Sequence, residues 1–138
     1  MTYHQDFYAW TQEQAQLLKT HQADRLDWKN LAEEIESLGR QERRELRNRL
    51  AVLVGHLLKW QYQPDRQGAS WRITIRSQRA EIQKLLQENP SLKSYLPEAV
   101  QDSYLEALAL AIRETNLEVF PEPCPYTVEQ VLNEPFLP

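Results

Sequence analysis

The run from Leu31 to Pro64, LAEEIESLGRQERRELRNRLAVLVGHLLKWQYQP, constrains the fold more than any other stretch of the chain. Leu46, Leu50, Leu53 and Leu57 recur at spacings of four, three and four, which stacks them on one face of an α-helix. Beside that stripe runs a polar line of Glu42, Glu45, Arg49 and His56, ending at Trp60. Continuous from Trp28 to Tyr62, such a helix would be about 52 Å long at 1.5 Å per residue. A compact chain of 138 residues has a radius of gyration of about 14 Å, hence a diameter near 37 Å. The mismatch predicts a kink or short break at Gly39–Gln41, with Gly39 closing the first segment as a glycine C-cap. An unbroken helix would instead imply an elongated shape, or a dimer covering the overhang.

The remaining segments are also helical in pattern. Asp6 can cap a first helix with apolar positions Phe7, Trp10, Gln14, Leu17 and Leu18. Asp27 is a good N-cap, with Leu26 able to staple onto Leu31, and Trp28, Leu31, Ile35 and Leu38 then line one face. Pro64 ends the long run and PDRQGAS turns the chain. Ser70 is expected to cap a helix with core positions Trp71, Ile75, Ile82 and Leu85 or Leu86, carrying Arg72, Arg76 and Arg79 on its shoulder. After the break at Asn89-Pro90-Ser91, Pro97 suits the first turn of a helix burying Val100, Tyr104, Ala107, Leu108, Ala111 and Thr115. Its alanines would let a neighbour approach closely. Five of the eight prolines follow Phe120, yet Thr127 and Gln130 form a capping box for a short helix over residues 128–133. The apolar residues of that tail predict a docked strap. Together these features describe one all-α domain over residues 1–138, a bundle of five or six helices with a proline-rich C-terminal strap.

Composition narrows the function classes. No apolar run reaches the ~18 residues of a membrane span, and MTYHQDFYAW lacks the basic start and apolar stretch of a signal peptide. The single cysteine, Cys124, excludes an internal disulfide and suits a reducing cytoplasm. The net charge of −4 hides an asymmetry: ten Lys or Arg against three acids between Arg40 and Arg79, a local +7, leaves −11 elsewhere. A basic middle in an acidic chain implies salt bridges between helices or an anion-binding face.

Several segments carry a resemblance. DFYAW, LAEEIESLGR, HLLKWQYQP, SWRITIRSQR, NPSL and CPYTVEQVLNEPFLP are together similar to the bacterial "domain of unknown function 29" family. The similarity extends over nearly the whole chain. It implies an α-helical bacterial protein of a kind common in cyanobacteria, and implies no particular activity. Gln41 stands where the family pattern has serine.

Catalytic signatures are sparse. There is no phosphate-binding glycine loop, nucleophile elbow, HExxH or Glu-x-x-His pair. EEIE and His56 do not converge at metal-ligand spacing, so neither a metal nor a cofactor is expected. An acid–base site would pair His56 with Glu34, with Arg79 holding an anionic group. The simpler alternative is a buried polar network that fixes helix register. Cys124, between two prolines with no histidine near in sequence, makes a poor nucleophile. The basic middle gives a second candidate: Arg44, Arg72 and Arg76 beside Trp60 or Trp71, a surface able to hold phosphates and stack bases. The expectation is therefore a small cytoplasmic binding or regulatory protein, partnered by another protein or by itself. Nucleic-acid or anion binding through Arg40–Arg79 and an enzyme using Glu34, His56 and Arg79 are the alternatives.

Overall fold

Each helix begins where a residue can satisfy, or dispense with, the free N–H groups of a first turn. In the computed structural model, which describes residues 2–138, Asp6 accepts a hydrogen bond from the Ala9 amide at 3.0 Å and opens α1 (Phe7–Lys19). Asp27 precedes α2 (Trp28–Tyr62) and accepts from the Asn30 side chain at 2.8 Å and the Trp10 indole at 2.9 Å. Those two donors hold the Asp27 carboxyl below the usual carboxylate range. Pro97 lies in the first turn of α4 (Leu96–Thr115), where its missing N–H costs nothing. Thr127 and Gln130 exchange both bonds of the capping box at the start of α5 (Val128–Leu132). Helix α3 (Ala69–Glu88) departs from expectation, because Gly68 takes the N-cap position with no side-chain bond. Ser70 lies inside the first turn, where its carbonyl accepts from Thr74. Short 3-10 turns at Ala23–Arg25, Pro64–Arg66 and Pro90–Tyr95 complete the chain, with no strand among the described residues.

The break near Gly39 is absent: α2 is one helix of 35 residues. Gly39 keeps a helical backbone, since no described glycine has a positive φ, and it meets open space. A lone glycine costs a helix about 1 kcal/mol relative to alanine. Against that stand strong helix formers on both sides and the i,i+4 pairs Glu36–Arg40 and Glu45–Arg49, worth a few tenths each. Gln41, unlike serine, offers no capping bond that would compete with the helix.

The chain forms two compact units, Met1–Glu42 and Arg43–Pro138, and α2 runs through both. The first is an antiparallel hairpin. Gln14 accepts from the Asp27 amide at 2.8 Å and the Tyr3 hydroxyl donates to Glu34, so early residues of the chain pair with later residues of α2. Trp10, Gln14 and Leu17 are buried as the spacing predicts. The expected inner face of Trp28, Ile35 and Leu38 is not inner: these residues are 64%, 67% and 60% exposed. Phe7 and Leu18 are exposed as well, because α1 covers only the side of α2 that carries Asp27, Leu31 and Glu34.

The second unit holds the core. Leu46, Leu50, Leu53, Val54, Leu57 and Leu58 of α2 pack against Ile75, Ile82, Leu85 and Leu86 of α3 and against Val100, Tyr104, Ala107 and Ala111 of α4. Gly55 lets α2 and α4 approach closely: a Cβ there would meet the Leu110 side chain at 2.7 Å and the Ala107 carbonyl at 3.2 Å. The tail docks as expected. Tyr126 and Val131 are buried, and the Tyr126 hydroxyl donates to Gln61 at 2.7 Å.

Candidate functional site

Residues Arg72, Arg76 and Arg79 follow one another at i, i+4 and i+7 and so form one stripe along α3. Beside it runs the C-terminal segment after α5, and the two enclose an open groove of about 670 Å³. The three arginines and Ile73 form one wall; Glu134, Pro135 and Leu137 form the other.

The arginines differ in what they hold. Arg79 is buried and donates to three backbone carbonyls: Nε to Val131 at 2.8 Å, Nη1 to Glu134 at 3.0 Å and Nη2 to Gln130 at 3.1 Å. A helix as short as α5 leaves its last carbonyls without intrahelical donors, and the planar guanidinium fork meets them. Burial lowers the Arg79 pKa, an effect partly offset by the Glu134 carboxylate. Arg76 lies 3.9 Å from Glu134 with both side chains well exposed, a pairing of little energetic weight. Arg72 is exposed and carries neither a hydrogen bond nor an ion pair. Three cations thus share one groove with a single carboxylate, and the groove floor is partly apolar.

A second polar cluster lies around His56. Its Nδ1 is 2.8 Å from the Val52 carbonyl, so that nitrogen carries the proton and donates within the helix. Burial pushes the His56 pKa down and keeps the imidazole neutral at pH 7. Lys59, 4% exposed, donates to Glu114 at 2.6 Å and lies 4.6 Å from the centre of the Trp71 ring. The Lys59 hydrogen bond holds the Glu114 carboxyl below the usual carboxylate range. The carboxylate that acts electrostatically on His56 is Glu114, whereas Glu34 accepts from Tyr3 in the other unit. His56 and Arg79, both in the second unit, have different neighbours. In sequence, the sign of Lys59 is a lysine set between the apolar run Leu53–Leu58 and Trp60; Glu114 gives none, since an acid near a helix end is ordinarily solvated.

The rest of the basic middle divides the same way. Arg47 donates to the Tyr95 hydroxyl at 2.9 Å, Arg43 lies 4.1 Å over the Tyr95 ring, and Arg49 reaches Glu45, Gln78 and Glu81. Arg44 is exposed and unpaired. Trp60 and Trp71 are half-buried and do not line the groove. Burial raises the Cys124 thiol pKa, which keeps it protonated and unreactive. Among the described residues, no three His, Cys, Asp or Glu side chains gather as a metal site, and no helix is long and apolar enough to cross a membrane.

No curated protein and no solved structure matches the sequence. A family model does, over residues 2–137, and its description is a domain of unknown function, DUF29. With almost every residue inside that match, the chain belongs to the DUF29 family.

Proposed function

We propose that this chain is a single-domain cytoplasmic binding module whose groove between α3 and the C-terminal strap takes an acidic, partly apolar segment of a partner protein. The observation that carries the reading is Arg72, an exposed arginine without a partner beside Arg76, whose one carboxylate is a loose surface contact. Like charges at i,i+4 repel, so an incoming carboxylate relieves repulsion as well as forming its own charge-assisted bonds. Ile73, Pro135 and Leu137 supply apolar contacts that a free inorganic anion would not use. Glu134 competes with such a ligand for Arg76.

The second unit bears twelve basic and twelve acidic residues, which disfavours nucleic acid over an acidic peptide. An enzyme built on Glu34, His56 and Arg79 finds less support, since Arg79 is occupied by the strap and Nδ1 of His56 by its own helix.

Fluorescence anisotropy with a labelled peptide of alternating glutamate and leucine tests the reading. Binding should weaken as salt rises, fall at least tenfold in Arg72→Glu and Arg76→Glu, and strengthen in Glu134→Gln. Peptide binding indifferent to Arg72→Glu, or single-stranded RNA binding more tightly than the peptide, would overturn it.

A further inference from the structure

The hairpin of the first unit has one apolar side and one polar side. At 100° per residue, Phe7 and Leu18 lie about 50–70° around α1 from its buried line of Trp10, Gln14 and Leu17. Trp28 and Ile35 lie about 70–90°, and Leu38 about 15°, in the same rotational sense from the line on α2 that faces α1, marked by Asp27, Leu31 and Glu34. In two antiparallel helices side by side, equal rotational senses bring both sets to the same side of the pair. The opposite rotation leads to Glu13 and Gln16 on α1 and to Glu33, Ser37 and Arg40 on α2. Phe7, Leu18, Trp28 and Ile35 therefore share one side, with Leu38 at its inner edge, and all five of these residues are exposed.

This surface is ordered rather than loose. The Trp28 indole donates to the Ala23 carbonyl at 3.1 Å, which fixes the ring while leaving its face open. Phe7 stacks on Trp10 with centroids 5.7 Å apart. Aromatic anchors already held in place lose little freedom on binding. Counting 150–250 Å² for a whole aromatic side chain, the exposed parts of the five residues amount to roughly 600 Å². A single apolar patch of that size reaches the upper end of what monomers display.

We infer that a second copy of this chain covers the face, so that two hairpins close into a four-helix bundle. An antiparallel helix pair with one apolar side is half of such a bundle, and what it lacks is another pair of the same length and pattern. The area agrees: two faces together contribute about 1,200 Å² before any polar rim, the lower end of stable specific interfaces. Charge agrees as well. The unit has four basic and eight acidic residues; on the two helices the apolar side carries only Glu42, at its far end and half-buried, and Glu33 lies on the side that stays in solvent. Self-association of two such acidic units is favoured by salt, which screens their mutual repulsion. Occupation of the α3 groove by an acidic ligand is weakened by salt, so the two surfaces answer one variable in opposite directions.

The test is sedimentation equilibrium of the full chain, with a mass of 16.3 kDa, over a range of concentrations at low and high salt. The expected result is a dimer that tightens or holds as salt rises. Ile35→Arg and Trp28→Arg should each raise the dissociation constant roughly 30-fold or more, the scale of losing an interface hot spot. Both positions are exposed, so circular dichroism should show helix content unchanged. Leu105→Arg, equally exposed on α4, should leave the dimer intact. A chain that stays monomeric at concentrations on the order of 100 μM, or a dimer that survives Ile35→Arg and Trp28→Arg, would overturn the inference. Peptide binding at the α3 groove is read separately and stands or falls independently.

Discussion

Two glycines of the same helix answer to opposite physics. Gly39 has open space around it, so Gly39→Ala should only restrict the unfolded chain and improve helix propensity, a gain of about 0.5–1 kcal/mol. Gly55 faces the Ala107 carbonyl and Leu110, so Gly55→Ala trades the same gain against overpacking and should lose about 1 kcal/mol net. Urea unfolding of the two variants, at unchanged m-value, reads the difference in sign. Leu53, with no exposed surface, has no such ambiguity: Leu53→Ala should cost about 2–5 kcal/mol in the same measurement. At this scale periodicity was a good guide to α2 from Leu46 to Leu57, where every predicted apolar position is buried. It misled at Trp28, Ile35 and Leu38, because a spacing tells that residues share a face and not that anything covers it. Arg79 was misplaced for a related reason. A shoulder arginine counts as solvated until a distant segment brings carbonyls to it, and those carbonyls carry no side-chain signature.

Among elements, the hydrogen bonding between α3 and the strap comes from one side chain, Arg79. Arg79→Lys keeps the charge but replaces a three-way fork with a single ammonium, leaving carbonyls of α5 short of donors. The expected cost is about 2 kcal/mol, seen as faster amide exchange throughout Val128–Leu132 with α2 and α4 little affected. The capping box at Thr127–Gln130, the proline positions and the apolar tail residues made the docked strap legible in the sequence. The unbroken α2 was not, because a lone glycine reads as a C-cap, although the helix formers on both sides of Gly39 already favoured continuity.

For the molecule as a whole, the cluster of His56, Lys59 and Glu114 on α2 and α4 joins Asp27 in shaping the response to acid. The His56 pKa is lowered by burial, so in the folded state it resists a proton that the unfolded chain accepts near pH 6.5. The unfolded state then binds more protons, and stability falls as pH drops below about 6.5. Glu114, also lowered, adds a further loss as pH falls through the ordinary carboxylate range and below. Denaturation midpoints measured from pH 8 to pH 4 should therefore decline with acid. His56→Gln should flatten the decline between pH 6.5 and 5 while leaving the steeper loss below it. The charge map was legible only as a sum: +7 between Arg40 and Arg79 is a property of sequence, but its division into paired Arg43, Arg47 and Arg49 and unpaired Arg44 and Arg72 is decided by Tyr95, Gln78 and Glu81 on other helices.

The way Arg79 grips the strap also bears on how the groove can diverge. All three of its acceptors are main-chain carbonyls, at Gln130, Val131 and Glu134. The side chain at 134 can change without loosening the hold, provided the backbone keeps its path, whereas at position 79 only an arginine presents the three-way fork. Glu134, Pro135 and Leu137 thus form an exchangeable wall on a fixed mount. Across relatives, arginine at this position should outlast every change opposite it, and the ligand preference of the groove should follow the strap rather than the bundle.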